Sequence, residues 1–244
     1  MSDTMIAIGG CHVAGYKVGE ENSFVNVVAR SAGYECVHRA ANYQIKKTTG
    51  IREKINTNQP DIVLLQLGNY EFHASLKQLF QNKKKKKSKL SEDSGLIKKS
   101  DDTDKQPLLL PLVKEPKAGF FLRNLITPFI WNVLKYRNRP HLRNIKDIIK
   151  ENPSQTFIIL SPIPCFKTSD NLIRNKAAKW YKKLYAALPN VTYIDLFRYI
   201  ASDKRYFADP GHLNSTGHRI LGKIISQHIR IMKKSVQETV AVAV

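Results

Sequence analysis

The sequence predicts an α/β fold: an open, mostly parallel sheet covered by helices on both faces, as a three-layer α/β/α sandwich. Three observations predict it. Strand-type runs alternate with helix-type stripes along the whole chain. The runs at 5–8, 62–67 and 157–160 are almost continuously apolar, which suits strands buried on both faces of a parallel sheet. Reactive or conformationally special residues follow these runs closely, and in such folds sites form at the carboxyl ends of the strands.

The 244 residues are enough for one well-buried domain, expected at 1–235 with a C-terminal tail at 236–244. A basic insertion is expected at about 74–138. Apolar content is ordinary, but the formal charge is +20. Part of the excess lies in the lysine run at 83–87, and the rest is spread widely. A basic balance favours polyanions, whether nucleic acid, anionic lipid or acidic polysaccharide. No helix-turn-helix pattern, zinc spacing or RNA-binding aromatic signature accompanies the charge, so nucleic acid is disfavoured. An anionic membrane surface stays among the candidate partners. The first residues lack the basic region and apolar core of a signal peptide. No apolar stretch is long enough to span a bilayer. The three cysteines, Cys11, Cys36 and Cys165, have no framework spacing. A reducing cytoplasm is the expected location, with peripheral membrane association an option.

Each element has its own warrant. Residues 5–8 form a short buried strand that ends in Gly9 and Gly10. Ser23 caps a helix whose apolar positions include Phe24, Val27 and Val28, and Gly33 stops it. Residues 34–40 form the second strand. A helix over 48–56 places Ile51 and Ile55 inward. Pro60 and Asp61 introduce the strand at 62–67, which ends at Gly68. Lysine, serine and aspartate dominate 81–106, which predicts a disordered stretch. An amphipathic helix follows over 119–136, with Phe121, Leu125, Phe129 and Val133 in its stripe. Pro128 should kink or divide it. Its stripe fits a core-packing helix, a lid or a membrane-surface helix. A separate core-facing helix is expected over 140–151, then a strand at 157–160 closed by Ser161 and Pro162. A long helix over 172–187 and a short strand at 191–194 come next. Asn214 caps the last helix, with Ile220, Leu221, Ile224, Ile225 and Ile229 in its stripe.

The chemistry sits in two distant stretches. In Gly9-Gly10-Cys11-His12-Val13-Ala14-Gly15 a strand delivers Cys11 into a glycine-framed turn. In Asp209-Pro210-Gly211-His212-Leu213-Asn214 an acid and an imidazole stand three residues apart, ahead of a helix. A thiol, a base and a carboxylate that orients the base are the parts of nucleophilic acyl transfer. Cys11 also fits a buried small hydrophobe, but its place at a strand-to-helix turn favours a low-pKa thiol. His12 should point away from the reacting atoms if the turn is tight. No ligand spacing supports a metal site, and no cofactor motif is present.

The order of these parts resembles the SGNH hydrolases, also called the GDSL esterase/lipase family. Their G-D-S-x-x-x-G block aligns with Gly9-Gly10-Cys11-His12-Val13-Ala14-Gly15, with cysteine at the serine position. Their second block aligns with Asn42-Tyr43-Gln44-Ile45, with Gln44 at the glycine position. Their G-x-N-D block aligns with Gly68-Asn69-Tyr70-Glu71, and their D-x-x-H block with Asp209 and His212, followed by Leu213, Asn214 and Gly217. The turn at 161–164 and the strand at 193–196 also match. The resemblance covers residues 5–72 and 140–230 and implies a flavodoxin-like sheet. It implies that Cys11 is the nucleophile, His212 its base and Asp209 the residue that orients the base. It further implies that the oxyanion and substrate are met by Gly10, Gln44, Asn69 and Tyr70. The implied activity is ester hydrolysis through a thioester, as an esterase or deacetylase on an acylated small molecule, sugar or polysaccharide precursor. Acyl transfer to a glycan, and a non-catalytic binding role after drift of the site, are the alternatives. The second is supported by the departures at Cys11, Gln44 and Tyr70.

Overall fold

The computed structural model describes residues 3–41, 43–73 and 117–242. The disorder expected at 81–106, most of the insertion, and Asn42 lie outside the described residues.

Five parallel strands form the central sheet: β1 (Asp3–Gly9), β2 (Tyr34–Ala40), β3 (Ile62–Gln66), β4 (Thr156–Leu160) and β5 (Val191–Ile194). Their spatial order is β2-β1-β3-β4-β5. Every pairing is parallel, so each connection crosses over a face of the sheet. β3 is buried at all five of its positions, the burial its apolar run predicts. The helices divide between the two faces. α1 (Phe24–Ala32) and α5 (Ser215–Val242) cover one, where Phe24, Val28, Leu221 and Ile225 meet Met5, Leu64 and Ile158. α2 (Thr48–Asn58), α3 (Lys117–Glu151) and α4 (Thr168–Tyr185) cover the other, where Ile51, Ile145 and Tyr181 meet Ile6, Leu65 and Ile159. A two-stranded antiparallel ribbon, β6 (Phe207–Asp209) and β7 (His212–Leu213), precedes α5.

Local signals account for several boundaries. The Ser23 hydroxyl accepts from the Asn26 N–H at the start of α1. Gly33 ends that helix at φ 72°, a left-handed conformation that glycine adopts without strain. The Asn214 side chain accepts from the Gly217 N–H at 3.0 Å and caps α5.

Three expectations need correction in this part of the fold. The helices expected at 119–136 and 140–151 are one continuous helix, α3, with Pro128 and Pro140 inside it. A helix-interior proline costs about 3 kcal/mol. Ile130, Leu134, Leu142 and Ile145 are buried along the same face, at roughly 2 kcal/mol each, so core packing outweighs the prolines. α4 also begins at Thr168, ahead of the expected 172, because Ser169, Asp170 and Ile173 are already buried. At the far end, α5 continues to Val242, so the 236–244 tail is helical through residue 242. Among the described residues, no helix is long and apolar enough to cross a membrane.

Candidate active site

β1 ends beside β3 at the centre of the sheet, and its last residues set the geometry of the turn. A side chain at Gly9 would place its Cβ 2.5 Å from the Gln66 carbonyl oxygen, so only glycine lets β1 run this close to β3. The turn that follows is closed by Val13 N–H to Gly10 C=O (3.0 Å) and Tyr16 N–H to Cys11 C=O (3.1 Å). Cys11 sits half-buried at its head.

The ribbon β6–β7 brings the acid and the base. Asp209 accepts from the Gly211 N–H (2.8 Å) and the His212 N–H (3.0 Å). The His212 ring donates from Nδ1 to the same carboxylate at 2.8 Å. That bond fixes the tautomer and leaves Nε2 for Cys11. Burial alone would raise the Asp209 pKa, but these N–H donors and the imidazole outweigh it and hold the acid below its ordinary range. The His212 pKa is raised, chiefly by its hydrogen bond with Cys11, against burial and with help from Asp209. Burial pushes the Cys11 thiol up, yet hydrogen bonds from His212 and Tyr70 win, and its pKa lies below the ordinary value. Cys36 and Cys165 behave in the opposite way, because burial dominates and raises both. The structure therefore brings Cys11, His212, Asp209 and Tyr70 together and singles out one thiol of the three.

Tyr70 arches over the start of the turn. A Cβ on Gly10 would lie 3.0 Å from its ring. Burial, together with its hydrogen bond to Cys11, pushes the Tyr70 pKa up to about 12, so the phenol stays protonated and can donate. Gln44 belongs to a loop pinned on both sides. Tyr43 N–H donates to Gly9 C=O at 2.7 Å, and Ile45 N–H donates to the Glu71 carboxylate at 2.7 Å.

Asn69, expected at the oxyanion, has its carboxamide engaged within the protein: Oδ1 accepts from the Ile163 N–H at 2.8 Å, and Nδ2 lies 3.1 Å from His12 Nδ1, with 5% of the residue exposed. The physical reason is the turn closed by Phe72 N–H to Gly68 C=O (3.1 Å). Gly68 adopts φ 99°, and a Cβ there would meet the Tyr181 hydroxyl at 2.7 Å. The turn sends Asn69 inward and Tyr70 toward Cys11.

Sequence reasoning missed what stands behind the site. His12 is buried to 1% exposure, with its ring 5.5 Å from His212 and 5.9 Å from His218. His12 Nδ1 lies 3.1 Å from Asn69 Nδ2 and 3.7 Å from Cys11 Sγ, and its Nε2 lies 3.3 Å from the Leu213 N–H and beside the Gly211 backbone. Burial, and then the neighbouring charges of His218, His212 and Arg174, hold the His12 pKa well below 6.5, so the ring stays neutral. Arg174, 2% exposed, donates to the carbonyls of Ile163 (2.8 Å) and Asn69 (3.1 Å). His218 accepts from the Phe24 N–H at 3.0 Å. Burial, reinforced by His212, lowers its pKa to about 4. The chain Arg174–Asn69–His12–Gly211 thus ties the loops after β3 and β4 to the turn that holds His212. Although three imidazoles meet here, among the described residues no group of three or more His, Cys, Asp or Glu side chains could hold a metal ion. The one hint in the sequence was His12 itself, a polar residue in a tight apolar turn.

A central five-stranded parallel sheet, with a nucleophile candidate just after β1 and an Asp-His pair just ahead of the last helix, defines a three-layer α/β/α sandwich. Comparison with solved structures gives the fold a narrower name. A protein of Desulfitobacterium hafniense DCB-2 assigned to the G-D-S-L family of lipolytic proteins matches with a TM-score of 0.57 and 13% identity, over 92% of this chain and 98% of that one. A lipase/acylhydrolase of Enterococcus faecalis matches with a TM-score of 0.56 and 15% identity, over 93% and 95%. A catalytic variant of an acetylxylan esterase of Geobacillus stearothermophilus matches with a TM-score of 0.54 and 11% identity, over 93% and 94%. Catalytic variants of that esterase replace an aspartate, a histidine and a serine, the first two standing three positions apart. The chain has the SGNH hydrolase fold, and its structural neighbours are ester hydrolases of the GDSL type. No family model matches the sequence, and no curated protein matches it.

Proposed function

We infer that this protein is an acyl-ester hydrolase that works through a thioester on Cys11. One observation carries the reading. A carboxylate-anchored imidazole stands close enough to the Cys11 thiol to lower its pKa, while the other two thiols are raised. In the proposed reaction His212 Nε2 takes the Cys11 proton, and the sulfur attacks the ester carbonyl. Negative charge develops on the carbonyl oxygen, to be met by the Cys11 backbone N–H and the Tyr70 hydroxyl. The alcohol leaves with the proton from His212, and the acyl group stays on sulfur. Water then gives His212 a proton and attacks the thioester, releasing the acid and the thiol. Asp209 holds the ring throughout and takes no proton.

The substrate class proposed is an acylated sugar or polysaccharide precursor. Tyr16 supports it: the ring is 48% exposed and lies 4.6 Å from the His212 ring, where a sugar face could stack beside the leaving oxygen. A non-catalytic binding role is the second reading, favoured by the inward commitment of Asn69. Acetate release from acetylated xylo-oligosaccharides and from a short-chain aryl ester separates the two. Wild type should release acetate and carry a transient acetyl group on Cys11 by intact-mass spectrometry. Cys11→Ala should do neither. Equal turnover by Cys11→Ala would overturn the assignment, and no turnover by wild type on any acyl sugar or ester would leave the binding role.

A further inference from the structure

The charge excess has a place in the fold that the proposed reaction does not use. α3 and α4 lie side by side on one face of the sheet, with their apolar stripes turned into the core. Their outward faces are basic. On α3 the positions Lys135, Arg137, Arg139 and Arg143 are exposed, and the helix carries no acidic residue before Asp147. On α4 the exposed positions Lys176, Lys179 and Lys183 form a second row, and the only acid of that helix, Asp170, is buried in its first turn.

Within this basic face stand two aromatic rings that the core does not take. Phe129 is 64% exposed and Tyr136 is 82% exposed. They are seven residues apart, which puts them on one side of the helix about 10 Å from each other. Arg143 continues the same line after another seven residues. An apolar ring gains nothing from a polyanion that meets it in water. It gains from the boundary between lipid headgroups and acyl chains, where tyrosine also sits favourably and basic side chains can reach the phosphates.

We propose that the outward face of α3 and α4 docks on an anionic phospholipid bilayer, with Phe129 and Tyr136 entering the interface and the basic side chains holding headgroup phosphates. The docking is peripheral, since no described helix can cross the bilayer. On its inner side the same stretch of α3 is anchored to the core, where Trp131 packs 6.0 Å from Phe72 and 6.0 Å from Trp180. The inference stands on the surface alone and holds whatever reaction Cys11 performs.

The test is sedimentation of the full chain with vesicles of phosphatidylglycerol and phosphatidylcholine against vesicles of phosphatidylcholine alone. Binding to the anionic vesicles at low salt and release at high salt are expected. The lysine run at 83–87 lies outside the described residues and could bind by charge alone, so two double variants decide the matter. Arg139→Gln with Arg143→Gln should weaken vesicle binding by about tenfold or more. Phe129→Ser with Tyr136→Ser should weaken it several-fold, yet leave retention on a sulfated polysaccharide column unchanged. All four side chains are exposed, and circular dichroism checks that both variants fold. Absence of binding to anionic vesicles at low salt overturns the proposal. So does vesicle binding that neither pair alters. A loss of polysaccharide or single-stranded DNA binding in the aromatic pair that matches its loss of lipid binding also overturns it, in favour of a soluble polyanion.

Discussion

Acid should dismantle this site from behind before it disables the base. His12 and His218 both pack behind His212, and both hold their folded pKa below the ordinary 6.5, His218 at about 4. Below that ordinary value the unfolded chain binds protons that the folded chain refuses. Stability from these two groups is therefore complete above about pH 6.5 and is lost as the pH falls toward their folded values. For His218, a change from 6.5 to about 4 withdraws about 2 kcal/mol by pH 5. His12, fully buried, has the same sign and adds to the loss. His212 has the opposite sign, because its raised pKa favours the folded state once it is protonated, so it offsets part of the loss. The His218 loss alone corresponds to a drop of roughly 6 °C in melting temperature for a domain of this size. Thermal unfolding followed by circular dichroism from pH 8 to pH 5 measures it. His218→Asn keeps an acceptor for the Phe24 N–H and removes the titrating ring, so its melting temperature should fall by roughly 6 °C less. Parallel pH curves for wild type and His218→Asn would refute the reasoning.

Three other outcomes follow from the same geometry. Iodoacetamide at mildly acidic pH should label Cys11 ahead of Cys36 and Cys165, as peptide mapping can show, because only the first thiol is lowered. Arg174→Met should destabilise the fold by about 3 kcal/mol in urea titration, since it strips the buried Asn69 and Ile163 carbonyls of their donor. Tyr70→Phe should shift the pH at which Cys11 reacts upward, and should lower ester turnover by about a hundredfold if its hydroxyl meets the oxyanion.

What the sequence discloses here is what is local. Asp209 and His212 are one short turn apart, so their pairing follows from spacing, and the caps at Ser23, Gly33 and Asn214 follow from residue type. The parallel order of the strands follows from apolar runs separated by helices. The brace behind the site is another matter. His12 meets Asn69 across 57 positions and the N–H of Leu213 across 201, and no periodicity foretells either contact. The same holds for α3, where two prolines argue locally for a break and the sheet argues, from a distance, for continuity. Asn69 and Tyr70 share one expectation, at the oxyanion, and the turn at Gly68 decides which of the two neighbours faces Cys11.

The inward hydrogen bonds of Asn69 bear on how Cys11, the proposed nucleophile, could work. A serine needs its proton removed during attack, so it depends on the base and on a strong oxyanion site. A thiol already lowered by His212 and Tyr70 depends less on both. Asn69 can then serve as a brace, while Tyr70 donates to sulfur. Cys11→Ser tests this. His212 and Asp209 remain in place, so the base a serine requires is present. Oxygen is smaller than sulfur and its bonds are shorter, so the hydroxyl should stop short of the carbonyl. A misplacement of about 1 Å can cost about a hundredfold. The serine variant should therefore retain slow ester turnover, with a pH profile governed by His212. Adding His212→Ala should reduce the serine variant by a larger factor than it reduces wild type, because a thiolate forms without full help from the base. Turnover measured on the four proteins gives both factors. Equal factors would mean that Cys11 needs its base as much as a serine does, and that the lowered thiol pKa contributes nothing to attack.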